Sequence, residues 1–419
     1  MNRFQSMLGK NINPAVPALL AVLMCLLAAS CKREVTTVPA NPLTTEAYVW
    51  QAPGRPEVQE AVGRAEGAIG RLQFRAAELR WRENRFEVEE VIRQRLPVPG
   101  CGLVVRVGQS AAALDWSAAQ CEDLEEVVAS LAALGPSEIQ LDYDCPQRRL
   151  GVYRRLLARV RKAAEGVPVV PTALPSWLAE KEFAELARES PGYVVQVHSL
   201  TLPRTPDDPV VLLDPDLARG AVAKAAAIGV PFRVAMPTYG CEVWFDRNGK
   251  VIDVISEDLP PEGVTPAKRS YAYVDPAIGA KLVAEWMQSP PVNLTGIIWY
   301  RLPISTDRRN WPWQTLEKVS RGEVPTADVR VERKVNGRAG DVTILNQGSA
   351  PVRLPERVIA RGAIVAADAV GGYRLEKGGR ETVFRFGGAE WSWIEPGERV
   401  IVGWITSRDK DASITLEIE

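Results

Sequence analysis

The sequence predicts an α/β protein, a (β/α)8 TIM barrel followed by a small C-terminal antiparallel β-sandwich. Between Thr44 and Pro303, eight apolar, β-branched segments alternate with amphipathic helical patterns, over about 260 residues, the size expected of such a barrel. Beyond Pro325 the pattern changes to short alternating runs separated by Gly, Asn and Pro, which read as antiparallel strands. No Gly-rich phosphate-binding loop follows the first strand segment. That disfavours the main alternative, an open doubly wound sheet, and with it nucleotide binding.

The eight strand segments are 47–51, 73–80, 103–108, 138–144, 167–173, 193–199, 232–237 and 296–301. Helical patterns lie between them at 56–69, 118–134, 147–165, 178–189, 215–228 and 276–287, with an eighth helix at 311–322. In the second of these, Leu124, Val127, Val128, Leu131 and Leu134 fall on one face. The connection after strand two breaks the rule, because Phe86-Glu87-Val88-Glu89 alternates like a strand. An insertion, 241–273, follows strand seven, and in it an Asn248-Gly249 turn joins two short strands as a hairpin. The predicted barrel domain is 46–322. The sandwich, 325–419, has strand runs at 329–335, 341–346, 358–365, 380–386, 399–405 and 413–418.

The first thirty residues read differently. Arg3 and Lys10 precede an apolar run, 15–29, interrupted only by Pro17 and free of acids. That run is shorter than the roughly 20 residues a bilayer span needs, and fits a secretory signal. It ends in Leu27-Ala28-Ala29-Ser30-Cys31, which resembles the bacterial lipobox. The resemblance implies a signal peptide at 1–30, a lipidated Cys31, a tether at 31–45, and anchoring to the bacterial envelope membrane on the non-cytoplasmic side.

The whole chain has 419 residues, with 51 Lys and Arg against 52 Asp and Glu, one His and a net charge of -1. Loss of Arg3 and Lys10 with the leader takes the charge to -3. Such a balance argues against a nucleic-acid partner, which draws a basic excess. One His excludes a multi-histidine metal site, no Cys-x-x-Cys offers structural zinc, and no cofactor is expected. Cys101, Cys121, Cys145 and Cys241 allow three disulfide pairings, among which the sequence does not choose.

Functional groups of a barrel sit at the carboxyl ends of its strands. Those ends carry Trp50, Glu78, Arg80, Trp81, Asp142, Asp144, Trp177, Gln196, His198, Tyr239, Trp299, Tyr300 and Arg301. On strand four, period two turns Ile139, Leu141 and Tyr143 toward the helices and Gln140, Asp142 and Asp144 toward the axis. Two such carboxylates repel, so one should hold its proton to unusually high pH, as a general acid requires.

Asp142-Tyr143-Asp144-Cys145-Pro146 resembles the end of the Asp-x-Asp-x-Glu signature of the family 18, chitinase-like glycoside hydrolases. Pro237-Thr238-Tyr239-Gly240 resembles that family's Pro-x-Tyr-Gly, and Trp299 its sugar-flooring tryptophan. Leu141–Pro146 and Leu174–Trp177 also resemble the Leu-Asp-Tyr-Asp-Cys-Pro and Leu-Pro-Ser-Trp patterns of an uncharacterised bacterial lipoprotein family. The chitinase resemblance implies that Asp144 protonates the leaving oxygen and that Asp142 orients an attacking substrate acetamide. It further implies that Tyr239 bonds that acetamide and that Trp299 stacks on the sugar. Two departures stand out: Gln140 replaces the first acid, and Asp144 is one methylene shorter than Glu.

Glu78 reads as a second catalytic carboxylate or as the partner of Arg80. Trp50, Trp81, Trp177, His198, Gln196 and Arg301 read as substrate-binding or as structural. Trp391 and Trp393 read as sandwich core and surface rather than a sugar platform. The expected function is acid-assisted cleavage of an envelope or imported polysaccharide by a membrane-anchored, glycoside hydrolase-like protein. The alternative is a catalytically inactive glycan-binding or structural lipoprotein.

Overall fold

The computed structural model describes residues 43–198, 203–256, 263–376, 381–388, 392–410 and 412–419. Cys31, the expected leader, most of the expected tether and Trp391 lie outside them. Among the described residues, no helix is long and apolar enough to cross a membrane.

The eight barrel strands, in order, are Thr44–Val49, Arg71–Arg82, Gly102–Val107, Ile139–Tyr143, Val169–Ala173, Tyr193–Gln196, Phe232–Pro237 and Leu294–Tyr300. Each pairs in parallel with the next, and the first closes the ring by pairing with both the second and the eighth. The sheet closes where Gly296 lies opposite Thr44, because a Cβ there would stand 2.0 Å from the Thr44 hydroxyl. Every strand except the second is followed by a helix. The helix ends use local chemistry: Ser117 and Gln120 form a reciprocal capping box, and Asp214 and Asp275 cap helices that begin with proline. Leu124, Val127, Val128 and Leu131 of helix Ala118–Ala132 are buried against the sheet, whereas Leu134 lies beyond its end.

No helix follows strand two. Arg85–Glu90 turns back as an antiparallel strand along Arg71–Arg82, as the alternation of Phe86–Glu89 foreshadows. The uncovered flank holds a cavity of about 1090 Å3 lined by Val62, Ile69, Phe74 and Ile92, away from the strand ends that carry the carboxylates. In the insertion, Gly240–Phe245 and Val251–Ile255 pair as the expected hairpin, with Gly249 at φ 77°. A third strand, Lys268–Tyr273, pairs with Gly240–Phe245 from the other side, which the sequence reading missed.

The barrel interior is layered. At the amino ends of the strands lies a polar floor of Glu46, Gln73, Glu138, Gln140 and Arg233, all buried. Arg233 bonds Glu46 and Glu138, each at 2.7 Å. Above it Val104, Val170, Val194, Ala235 and Ile298 pack against Tyr48 and Trp50. Ile139, Leu141 and Tyr143 face outward into the layer beneath the helices.

The C-terminal part forms two four-stranded antiparallel sheets and a two-stranded pair. Val342, Ile344, Val402 and Ile405 of one sheet pack on Val358, Ala360, Tyr373 and Phe384 of the other, which makes a sandwich. The expected run 358–365 is two strands, Arg357–Gly362 and Ile364–Ala369, in different sheets. The break falls at Gly362, whose φ of 146° favours glycine.

Candidate functional site

Above the apolar layer the strand ends enclose a cavity of about 840 Å3. Strand four brings Asp142 and Asp144 into it, and the neighbouring strands add Trp50, Arg106, Thr172, Gln196 and His198. Tyr239 and Tyr300 close one side, and Asp253–Ser256 of the insertion form part of the wall.

The two carboxylates have different surroundings. One Asp142 oxygen accepts from the Thr172 hydroxyl at 2.9 Å and from the Gln196 amide at 3.0 Å, which fixes its orientation. Asp144 Oδ1 is buried with no hydrogen-bond partner among the described residues. Burial first, and the Asp142 charge second, push the Asp144 carboxyl up to about 7, while Arg106 pulls the other way. The repulsion expected from the sequence is therefore real but secondary to desolvation. Gln140 is fully buried below: its amide donates to Glu138 at 2.8 Å, and its carbonyl accepts from the Tyr48 hydroxyl at 2.6 Å.

Tyr300 is the hub of an aromatic wall. Its ring centroid lies 5.0 Å from Trp50, 5.5 Å from Tyr239 and 5.9 Å from Tyr48, all roughly edge to face. His198 stacks on it at 5.3 Å with an interplanar angle of 7°. Burial pushes the His198 imidazole down to about 4, so it is neutral at pH 7. Arg106 lies 5.5 Å over the Trp50 ring and opposite Asp142 in the strand register.

Five sequence-predicted residues are placed elsewhere. Trp299 faces outward, is fully buried and packs on Trp311 at 6.0 Å; its neighbour Tyr300 takes the cavity side. Trp177 is buried in the layer between sheet and helices. Trp81, at the far end of the long second strand, packs edge to face on Phe86 at 5.0 Å. Glu78 accepts from Arg75 at 2.9 Å and from Arg80 at 3.0 Å. Burial raises its pKa, but Arg80, Arg106 and Arg75 more than offset this and keep it ionised. It is ion-paired with both arginines and lies opposite Arg106 in the strand register, outside the residues that line the cavity. Arg301 is wholly buried behind Tyr239, bonded to Asp307 at 2.5 Å. Tyr48, Arg106, Thr172 and Asp253 were missed. Alternation could have pointed to Tyr48 and Arg106, which share a face with Trp50 and Val104.

Cys101, Cys121, Cys145 and Cys241 are free, buried thiols, with none of the three disulfide pairings formed. Among the described residues, no group of three His, Cys, Asp or Glu side chains is placed to hold a metal ion.

Residues 100–305 match the family model Domain of unknown function (DUF3142). The DUF3142 match includes strands three to eight and both cavity carboxylates. Residues 329–408, in the sandwich, match a second, Domain of unknown function (DUF8456). No curated protein matches the sequence. Among solved structures, the chain is similar to chitinase ChiA74 from Bacillus thuringiensis, with 11% identity over 90% of this chain and 100% of that one, at a TM-score of 0.43. It is similar to a chitinase from Chromobacterium violaceum, with 11% identity over 67% and 98% of the two chains and a TM-score of 0.45. It is also similar to the spore cortex-lytic enzyme SleL of Bacillus cereus, with 12% identity over 67% and 74% and a TM-score of 0.45.

Proposed function

We propose that the protein is a membrane-anchored, glycoside hydrolase-like protein that cleaves an envelope or imported polysaccharide with Asp144 as general acid. The observation that carries this reading is Asp144 itself: a carboxyl held protonated near neutral pH, with an unsatisfied oxygen, in an open cavity beside an ionisable partner. A sugar bound against Tyr300 and Trp50 would present its glycosidic oxygen to that proton. Asp142, oriented by Thr172 and Gln196, would position the substrate's acetamide for attack on the anomeric carbon, and Tyr239 would bond its oxygen. This is the substrate-assisted variant of glycoside hydrolysis. Activity should fall as pH rises through about 7, because the acid then loses the proton it must deliver.

A second reading, glycan binding without efficient cleavage, is favoured by the reach of the acid. Asp144 is one methylene shorter than Glu, and misplacement by about 1 Å costs about 100-fold. One experiment separates them. A soluble chain beginning near Val35 is incubated with N-acetylated β-linked glycans, including peptidoglycan strands and chitin oligosaccharides. Reducing ends and bound glycan are both measured. New reducing ends at pH 6 that fade by pH 8 support the enzyme. Saturable binding with no new ends supports the binder, and neither outcome on any glycan overturns both.

A further inference from the structure

The segment after strand eight is gripped from two directions. Asp307 reaches inward, and its carboxylate accepts from Arg301 Nε at 2.9 Å and Nη2 at 2.5 Å. The same guanidinium donates to the Ser256 carbonyl at 2.9 Å and lies 5.8 Å from the Tyr239 ring. Arg308, the next residue, reaches outward to the sandwich. It lies 2.7 Å from the Glu395 carboxylate, and it donates to Glu398 at 3.3 Å and to the Trp393 carbonyl at 3.4 Å. Trp393 stacks on Tyr273 of the insertion at 4.6 Å, and the Tyr273 hydroxyl donates to the Asn310 carbonyl at 3.4 Å.

Asn310 in turn forms an isolated β-bridge with Tyr239, and its side chain donates to the Arg301 carbonyl at 3.0 Å. Beside it, Gly240 N–H donates to the Arg309 carbonyl at 2.6 Å, and Trp311 N–H donates to the Thr238 carbonyl at 2.9 Å. Residues 307–310 therefore touch the sandwich on one side and the backbone of the tyrosine wall on the other.

We propose that the sandwich sets the geometry of the Tyr239–Tyr300 wall through residues 307–310, with Arg308 as the positioning residue that transmits it. The catalytic consequence rests on the function proposed above; the mechanical coupling does not. Adjacent residues of one strap cannot move independently, so a strap released by the sandwich loosens the bridge that orients Tyr239. Arg308 and Glu395 are partly exposed, and such pairs contribute little to global stability. Their loss should therefore act on local order more than on folding.

The test uses the full chain and the variants Arg308→Ala, Arg308→Lys and Trp393→Ala. Amide hydrogen exchange is followed at Gly240 and Trp311, with Ala173 on the fifth strand as the reference. The expected result is about three- to tenfold faster exchange at Gly240 and Trp311 in the two alanine variants, with Ala173 unchanged and Arg308→Lys in between. On a chromogenic N-acetylglucosamine disaccharide, KM should rise more than kcat falls, because Tyr239 and Tyr300 contact the bound sugar. Unchanged exchange at both amides overturns the proposal. So does uniform acceleration that includes Ala173, or faster local exchange with kcat and KM both unaltered in an active enzyme. If the wild-type chain does not turn over the disaccharide, the function proposed above fails, and the exchange pattern alone decides the coupling.

Discussion

At the two ends of strand four, Glu138 and Asp144 occupy the same barrel interior under opposite conditions. Glu138, at the floor, accepts from Gln140 at 2.8 Å, Gln73 at 2.9 Å and Arg233 at 2.7 Å. Glu46 beside it is held below the usual carboxylate range, because Arg233 and Arg71 outweigh the cost of its burial. Asp144, at the mouth, is buried without a hydrogen-bond partner for Oδ1 among the described residues, and its carboxyl is raised to about 7. A carboxylate that is fully bonded by its own protein has nothing left to offer a ligand. One that is desolvated and left unsatisfied keeps its proton and can deliver it. The contrast separates the polar groups that close the barrel from those that face the cavity.

The largest expected effect tests the mouth. Asp144→Asn should lower turnover by about 100- to 10,000-fold while glycan affinity changes little, because the amide keeps the shape and cannot donate the proton. Steady-state kinetics and calorimetry on one cleaved glycan check it, and comparable turnover in variant and wild type would sink the assignment.

The floor should respond in stability instead. Arg233→Met leaves buried Glu46 and Glu138 with only the partly exposed Arg71 as a shared cation, and removing one partner of such a network typically costs about 3–5 kcal/mol. Denaturant unfolding measures it. A loss under 1 kcal/mol would mean that water or Arg71 takes over, and the floor would then be no tighter than the mouth.

A third prediction reverses that sign. The folded pKa of Asp144 lies above its unfolded value of 3.8, so between about pH 4 and 7 the native state binds more protons than the unfolded one. Stability contributed by this group therefore falls as pH rises through that window. Asp144→Asn should remove the penalty and stabilise the protein at pH 8 by about 1–3 kcal/mol, with no gain near pH 3. His198 slopes the other way: its depressed pKa costs stability as pH falls from 6.5 toward 4. Comparing unfolding midpoints of wild type, Asp144→Asn and His198→Gln across pH 4–8 resolves the two.

The smallest effect concerns the aromatic wall. Tyr300→Ala should weaken glycan binding roughly tenfold, in line with about 1.5 kcal/mol for a lost aromatic face. Trp299→Phe should leave affinity within about twofold, because the indole lies behind the sheet and an outward substitution leaves the sugar face intact. A binding titration in which the two variants exchange these outcomes would restore Trp299 to the site.

The sequence by itself determined whatever depends on neighbours along the chain. Period two on strand four placed Asp142 and Asp144 on the axis side, and the apolar spacing of helix Ala118–Ala132 selected its buried face. Asn248-Gly249 announced its hairpin, and the alternation of Phe86–Glu89 announced the strand that displaces a helix. Only the tertiary structure decided what depends on partners distant in sequence. Whether Trp299 or Tyr300 enters the barrel follows from pairing with strand seven, whose register shifts between Leu294 and Gly296. A slip of one residue exchanges the two faces of a strand. The loss of Glu78 to Arg75 and Arg80 follows from a similar shift between Arg75 and Ala77 against strand three. Periodicity sets which residues share a face, but long-range hydrogen bonding chooses which face meets the cavity.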